Sequence, residues 1–360
     1  MSGSSIVQLP ASEKDTEGRF SLVRAFEEWY PLGWSKEFGA KPVSRRILDV
    51  PLCVFRTSEG PVVLLDRCPH RNVPLSMGSI QGDRVECAYH GWQFDKTGTC
   101  RHIPALCGPS EGKARRVDCF PVREQDGLVW VYMRANQEPK REPFRLQESD
   151  DPSYARIAYA DSFEATLYGT LENILDVPHT AFLHKGLFRG DSKRTEIEVE
   201  VQRGPRHAQA EYIGEPRPKG LMGRILAPGG GEVTHFDRFI LPSIAQVEYR
   251  LGKHHVLVSS LCAPVSNFET RMYAVVLANL PVGLRMLKGL FMPIALKVVG
   301  QDKTILAAQT KTTTEFGGER FVSSQVDVLG PQILRLLKRA ERGETDSGES
   351  ETEQRFRMLV

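Results

Sequence analysis

The chain has 360 residues, 41% of them hydrophobic and 26% charged, with a formal net charge of +2. That length supports two domains and a sizeable core, and so small a charge makes no case for nucleic acid or an anionic membrane as partner. Seven cysteines, an odd number, and a polar Met1–Pro10 without the apolar centre of a secretion signal predict reduced thiols and a cytoplasmic protein.

Residues 1–25 are largely small and polar and predict a loose arm. The ordered part begins at Phe26-Glu27-Glu28-Trp29. Short alternating runs follow at Arg46 to Phe55, Val62 to Asp66, Val85 to Cys87, Gly98 to Ile103, Ala114 to Phe120 and Gly127 to Met133. Gly, Pro and charged pairs separate them, so residues 26–140 predict a small antiparallel β domain. Asn136 to Pro152 is polar and closes on an acidic run, which places a domain boundary near 140.

The second domain, 141–342, opens with helical spacing over Ser162 to Leu175. Strand-like runs then dominate: Arg194 to Val201, Ala208 to Tyr212, Val233 to Ile240, Ile244 to Leu251, Val256 to Cys262 and Arg271 to Ala278. They predict one large antiparallel sheet with flanking helices, an α+β fold of helix-grip type. Leu280 to Gly300 is apolar and about as long as a membrane span. Arg285, Lys288, Lys297 and Pro293 interrupt it, so a buried or amphipathic helix is favoured, with membrane contact a secondary reading. Gly229-Gly230-Gly231 has no Lys-Ser/Thr after it and reads as a turn. A last helix is expected over 330–342, then a mostly flexible acidic tail over 343–360.

Two stretches carry chemistry. The first is Cys68-Pro69-His70-Arg71, fifteen residues, then Cys87-Ala88-Tyr89-His90-Gly91-Trp92. Two thiolates for one iron and two imidazoles for the other are what a Rieske-type [2Fe–2S] cluster needs, and the neutral imidazoles raise its potential. Structural zinc is the rival, but a Cys-x-His pair fits zinc spacing poorly.

The second is Asn173-Ile174-Leu175-Asp176-Val177-Pro178-His179, followed by His184. Five residues along an α-helix leave two side chains roughly 140° apart, so a regular helix would not chelate with His179 and His184. Pro178 predicts a break or π-like turn that could bring them together. Two His and one carboxylate form the facial triad of non-haem Fe(II) oxygenases. The candidate carboxylate is Asp302, whose commoner role taken alone would be a helix cap or surface charge.

These stretches, in this order, resemble the oxygenase component of a Rieske non-haem iron oxygenase, from about Trp29 to about Gln309. The resemblance implies that Cys68, His70, Cys87 and His90 bind the cluster and that His179, His184 and Asp302 bind a mononuclear Fe(II). It implies that Asp176, with Asn173 beside it, links a cluster His of one subunit to an iron His of the next in a homotrimer. Only Ile174 and Leu175 separate Asn173 from Asp176, which is similar to the O-demethylase and pheophorbide-oxygenase-like group. That tilts the reading towards monooxygenation or demethylation of a hydrophobic or aromatic small molecule by O2, and away from cis-dihydroxylation. Leu187, Phe188, Phe182 and Leu183 are candidate pocket residues. The chain has no dinucleotide fingerprint and no plant-type cluster spacing. Electrons from NAD(P)H must therefore arrive through a separate flavin and iron–sulfur reductase or ferredoxin. The alternatives are a Rieske electron carrier without oxygenase activity and a ring-dihydroxylating dioxygenase.

Overall fold

The computed structural model describes residues 18–185, 195–216, 233–252, 254–279, 288–344 and 352–360. Two compact units emerge, the first built on Phe26–Arg145 with Val265–Asn267, the second on Gly18–Ala25, Leu146–Pro264 and Phe268–Val360.

The first unit holds three small antiparallel sheets. β1 (Trp29–Trp34), β11 (Leu128–Tyr132) and β10 (Val122–Gln125) form one, with β11 central and buried along its whole length. β2 (Val43–Ile47), β3 (Val50–Thr57), β4 (Gly60–Leu65) and β9 (Cys119–Phe120) form another. The run expected as one strand from Arg46 to Phe55 is in fact a hairpin. Leu48 and Asp49 turn the chain with φ of 51° and 65°, the positive pair that a tight two-residue turn requires. The third sheet is β5 (Ser79–Gln81), β6 (Arg84–Glu86), β7 (Gln93–Phe94) and β8 (Cys100–His102). Ala114 to Phe120 supplies only β9, because residues 113–115 form a single 3-10 turn.

The second unit is organised by eight strands in the order β12-β18-β17-β16-β15-β14-β13-β19, the last being Thr352–Leu359. β12 is Ala155–Phe163, β13 Glu196–Arg203, β14 His207–Ile213 and β15 Val233–Ile240; β16 is Ile244–Leu251, β17 His254–Ser266 and β18 Glu269–Asn279. Side chains alternate across it as a half-covered sheet demands. In β15, His235, Asp237 and Phe239 are buried while their neighbours are half-exposed. Helices α1 (Leu167–Ile174), α2 (Lys288–Glu315) and α3 (Gly330–Glu341) cover one face, and Leu171, Leu306, Ile333 and Leu336 share a core with Val199, Ala210 and Phe239.

Four expectations need correction here. The helix predicted from Ser162 starts at Leu167, because Phe163 ends β12 against Thr270 and the Thr166 hydroxyl caps the Gly169 N–H at 3.0 Å. Gly18–Ala25 is not loose: Phe20, Val23 and Ala25 are buried, and Ser21 donates to Glu319. The tail is not all flexible: β19 (Thr352–Leu359) pairs residue for residue with β13 and buries Met358. Its acidic composition hid an edge strand whose Arg355 and Arg357 pair with Glu200 and Glu196. The described part of the apolar stretch, from Lys288, and the segment after it are one helix, α2, with Pro293 inside it. Among the described residues no helix is long and apolar enough to cross a membrane. Residues 280–287, with Gly229-Gly230-Gly231, Leu187 and Phe188, lie outside the described residues.

Candidate metal centres

The two loops expected to hold a cluster are built alike. The Cys68 N–H donates to the Val73 carbonyl at 2.9 Å and the Cys87 N–H to the Trp92 carbonyl at 2.8 Å. Each Cys carbonyl accepts from the residue four further on, Asn72 at 2.9 Å and Gly91 at 3.0 Å. Those residues take the left-handed conformation, with φ of 61° and 68°, which Asn and Gly tolerate best. Gly91 is required twice over, since a Cβ there would lie 2.8 Å from Pro104.

Cys68 and Cys87 are buried and His90 is exposed. The His70 and His90 rings lie 4.5 Å apart, and Trp92 stacks on His70 at 4.7 Å. Burial pushes the Cys68 thiol up to about 11, opposed by hydrogen bonds from the His70 and Arg71 backbone. The buried His70 Nδ1 has no partner. A donor set of two thiols inside and two imidazoles outside, with an orphaned nitrogen, fits a [2Fe–2S] group whose irons differ.

The second set converges more tightly. Thr166 starts α1, the helix ends at Ile174, and Pro178–Ala181 forms a 3-10 turn. The expected break is there, with a 3-10 turn after it in place of a π-like one, and the two imidazoles come together: His179 Nε2 and His184 Nε2 are 3.2 Å apart. Asp302, inside α2 rather than capping it, completes the set, its Oδ1 3.1 Å from His184 Nε2 and 3.6 Å from His179 Nε2. One ligand atom from each of the three lies within 4.8 Å of the others. Asp302 Oδ1 is buried without a hydrogen-bond partner. Two nitrogens and an unsatisfied carboxylate oxygen aimed at one point suit a divalent iron.

The outer contacts of the two imidazoles differ. His179 Nδ1 meets the Asp176 backbone carbonyl and lies 3.7 Å from the Asp176 carboxylate. His184 Nδ1 lies 2.9 Å from Gln301 Oε1. Burial holds His179 below the ordinary imidazole value. Burial also opposes charge on His184, but the nearby Asp302 carboxylate and the Gln301 amide outweigh it and raise that imidazole. Asp176 is pushed up to about 6 by burial and then by the charges of Asp327 and Asp237. Asn173 is buried in the last turn of α1, where its carbonyl accepts from the Asp176 N–H at 3.4 Å. Phe182, expected to line a pocket, is 73% exposed because the 3-10 turn ends there and turns it outward.

Gln301 carried no signal of its own in the sequence. Adjacent helical positions point about 100° apart, so nothing in the spacing set Gln301 beside His184.

Residues 28–121 match the model of the Rieske [2Fe-2S] domain, and residues 163–343 match that of the vanillate O-demethylase oxygenase C-terminal domain. The chain is 32% identical over 203 residues to the oxygenase component of dicamba O-demethylase from Stenotrophomonas maltophilia, covering 55% of this chain and 59% of the relative. It is 26% identical over 304 residues to methylxanthine N1-demethylase NdmA from Pseudomonas putida, covering 84% of each. The first of these matches spans under two thirds of the relative's own length. The crystal structure of dicamba monooxygenase bound to dicamba shares the fold, with a TM-score of 0.76 at 23% identity, over 89% of this chain and 99% of that one.

Proposed function

The chain belongs to the family that joins a Rieske [2Fe-2S] domain to a vanillate O-demethylase oxygenase C-terminal domain, and on that premise we propose that it is the terminal oxygenase of a multicomponent system that monooxygenates, by hydroxylation or demethylation, a hydrophobic or aromatic small molecule. Iron(II) held by two imidazoles and a carboxylate supplies open positions for O2 chemistry, and the cluster supplies electrons singly. The net reaction consumes O2, two electrons and two protons; one oxygen atom enters the substrate and the other leaves as water.

In this reading Cys68, Cys87, His70 and His90 hold the cluster, and His179, His184 and Asp302 hold the iron. Asp302 neutralises half of the charge of a divalent ion in a buried setting. Gln301 accepts from His184 Nδ1–H, which leaves Nε2 free to ligate. The carbonyl of Asp176 does the same for His179. The Asp176 side chain is kept for a cluster imidazole of a neighbouring subunit, so the working form is a homotrimer. A separate reductase or ferredoxin delivers the electrons, in the cytoplasm.

The observation that carries the reading is the convergence of His179, His184 and Asp302 around the orphaned Oδ1, in a chain that also bears the two cluster loops. Anaerobic iron and sulfide counting tests it. Wild type should hold about three irons per chain and His179→Ala about two, by the ligand sets, with substrate-dependent O2 uptake lost in the variant. Two irons in the wild type, and O2 uptake indifferent to the change, would reduce the protein to an electron carrier.

A further inference from the structure

β19 ends the large sheet and leaves a row of main-chain groups on its outer side. The ladder with β13 fixes which groups those are. Thr195 and Val360 exchange both of their main-chain hydrogen bonds, each 3.0 Å long, so the even-numbered residues of β19 bond to β13. Glu353, Arg355, Arg357 and Leu359 therefore turn their N–H and C=O groups away from β13. Among the described residues no strand pairs with that side. Soluble proteins commonly blunt such an edge with a bulge, a proline or charge. β19 pairs with β13 without a bulge and contains no proline; it carries charge alone, and of both signs.

The signs follow an order. Alternate positions read Glu349, Glu351 and Glu353, then Arg355 and Arg357, acidic before Gln354 and basic after it. Arg355 lies 2.7 Å from Glu200 of β13 and 3.0 Å from Glu353, and Arg357 lies 3.0 Å from Glu196. The Glu353 and Arg355 side chains nevertheless stay 52% and 58% exposed. A second β19 laid antiparallel along this edge must match outward residue to outward residue, which allows few registers. Those centred on Glu353, Arg355 or Arg357 set a charge against itself. The one centred on Phe356 sets Arg355 against Arg357. The one centred on Gln354 sets Glu353 against Arg355 twice, and the residue that meets itself on the axis is an uncharged amide. Unlike charges directly opposite support a strand pair and like charges destabilise it, so the pattern selects that last register.

We propose that β19 pairs antiparallel with β19 of a second copy of this chain, about a two-fold axis at Gln354, and so joins two eight-stranded sheets into one. Residues Thr352 to Phe356 of the two strands overlap. Glu353 and the second copy's Arg355 exchange two main-chain hydrogen bonds, and Arg355 and the second copy's Glu353 exchange two more. Main-chain bonding supplies the association, as in other cases of strand addition to a sheet edge. Exposed ion pairs add little free energy; their part is to choose the register and the partner. The contact is isologous, so it doubles whatever ring the subunits form through other surfaces.

Light scattering on the intact protein as it leaves a size-exclusion column tests this. The wild type should hold an even number of chains and have twice the mass of Glu353→Arg or Arg355→Glu, since each change sets like charges opposite in the selected register. The double variant E353R/R355E should return to the wild-type mass, because unlike charges face each other again. An equimolar mixture of the two single variants should do the same, one edge then carrying two acids and the other two bases. Arg355→Glu also loses its contact with Glu200 and can loosen β19 from β13; the mixture guards against that, because it regains the higher mass only if both edges are intact. An odd number of chains in the wild type, a mass indifferent to both single variants, or a mixture that stays at the lower mass overturns the proposal. Pairing of β19 with β12, the other edge of the sheet, would give that last result. Iron content plays no part in the readout, so the outcome is independent of the oxygenase reading.

Discussion

Gln301→Ala isolates an interaction that touches the iron site only through another residue. The His184 ring is 1% exposed, and its Nδ1 meets Gln301 Oε1 at 2.9 Å. Deleting the amide leaves a buried N–H without that acceptor, a penalty of about 1–3 kcal/mol. Because about 1.4 kcal/mol is a factor of ten in an equilibrium constant, the loss corresponds to roughly 10–100-fold weaker metal binding, the range seen for outer partners of ligand histidines. The ligands themselves stay, so the iron should be weakened and not abolished. Chelator competition for Fe(II) under anaerobic conditions reads the change, with the cluster absorption of the same sample as an internal reference that should not move. Gln301→Glu keeps an acceptor at the same reach and should restore binding. An alanine variant that retains iron within about twofold of wild type would refute the claim that this hydrogen bond orients the ligand.

Asp176→Ala should leave both metals bound but slow cluster reoxidation by O2, in the presence of substrate, by about 10–100-fold, the scale of outer-partner losses; stopped-flow traces matching wild type would remove Asp176 from the electron path. Gly91→Ala sets a Cβ 2.8 Å from Pro104 at a φ of 68°, and strain of about 1–3 kcal/mol should displace the His90 loop and cut the red-brown cluster absorption per chain, whereas full cluster loading would show that the loop has slack. Buried His235 on β15, with Nδ1 2.6 Å from Glu215 and Nε2 3.1 Å from Asp237, gives a signed pH dependence. Its folded-state value of about 9 lies above the ordinary 6.5, so the stability it contributes is complete below 6.5 and drains away as pH rises towards 9. Melting temperature should fall across that window in wild type and flatten there in His235→Gln; parallel curves for the two proteins would refute the assignment.

Much of the fold is written in local patterning. The runs Val233 to Ile240 and Ile244 to Leu251 coincide with β15 and β16, because alternation and the turn between them leave little room for another register. The ligand residues are legible for a different reason: Cys68, His70, Cys87 and His90 are the side-chain types such a cluster requires, at a spacing short loops impose. Legibility ends where partners come from distant sequence. β19 looks disordered by composition, and only pairing with β13 makes it a strand. Phe20 and Val23 look like part of a free arm until the second unit buries them. Gln301 has no motif, since its role exists only once α2 lies against the His184 turn. His235 and Asp237 alternate on one strand, so their shared face was readable in the sequence; Glu215 on Nδ1 was not.

The contrast between the two His pairs follows from what each site must exchange. An electron relay has to be approached by a partner, and the cluster loops leave His90 exposed while the cysteines stay buried. The iron site must do the opposite. Its His184 is 1% exposed and its carboxylate oxygen faces the two imidazoles without a hydrogen bond, a state that is costly in the protein alone and is relieved by a cation. At this centre, then, the polar atom left over by the protein marks the position the proposed iron would take, and satisfying it supplies part of the free energy by which the metal would be held.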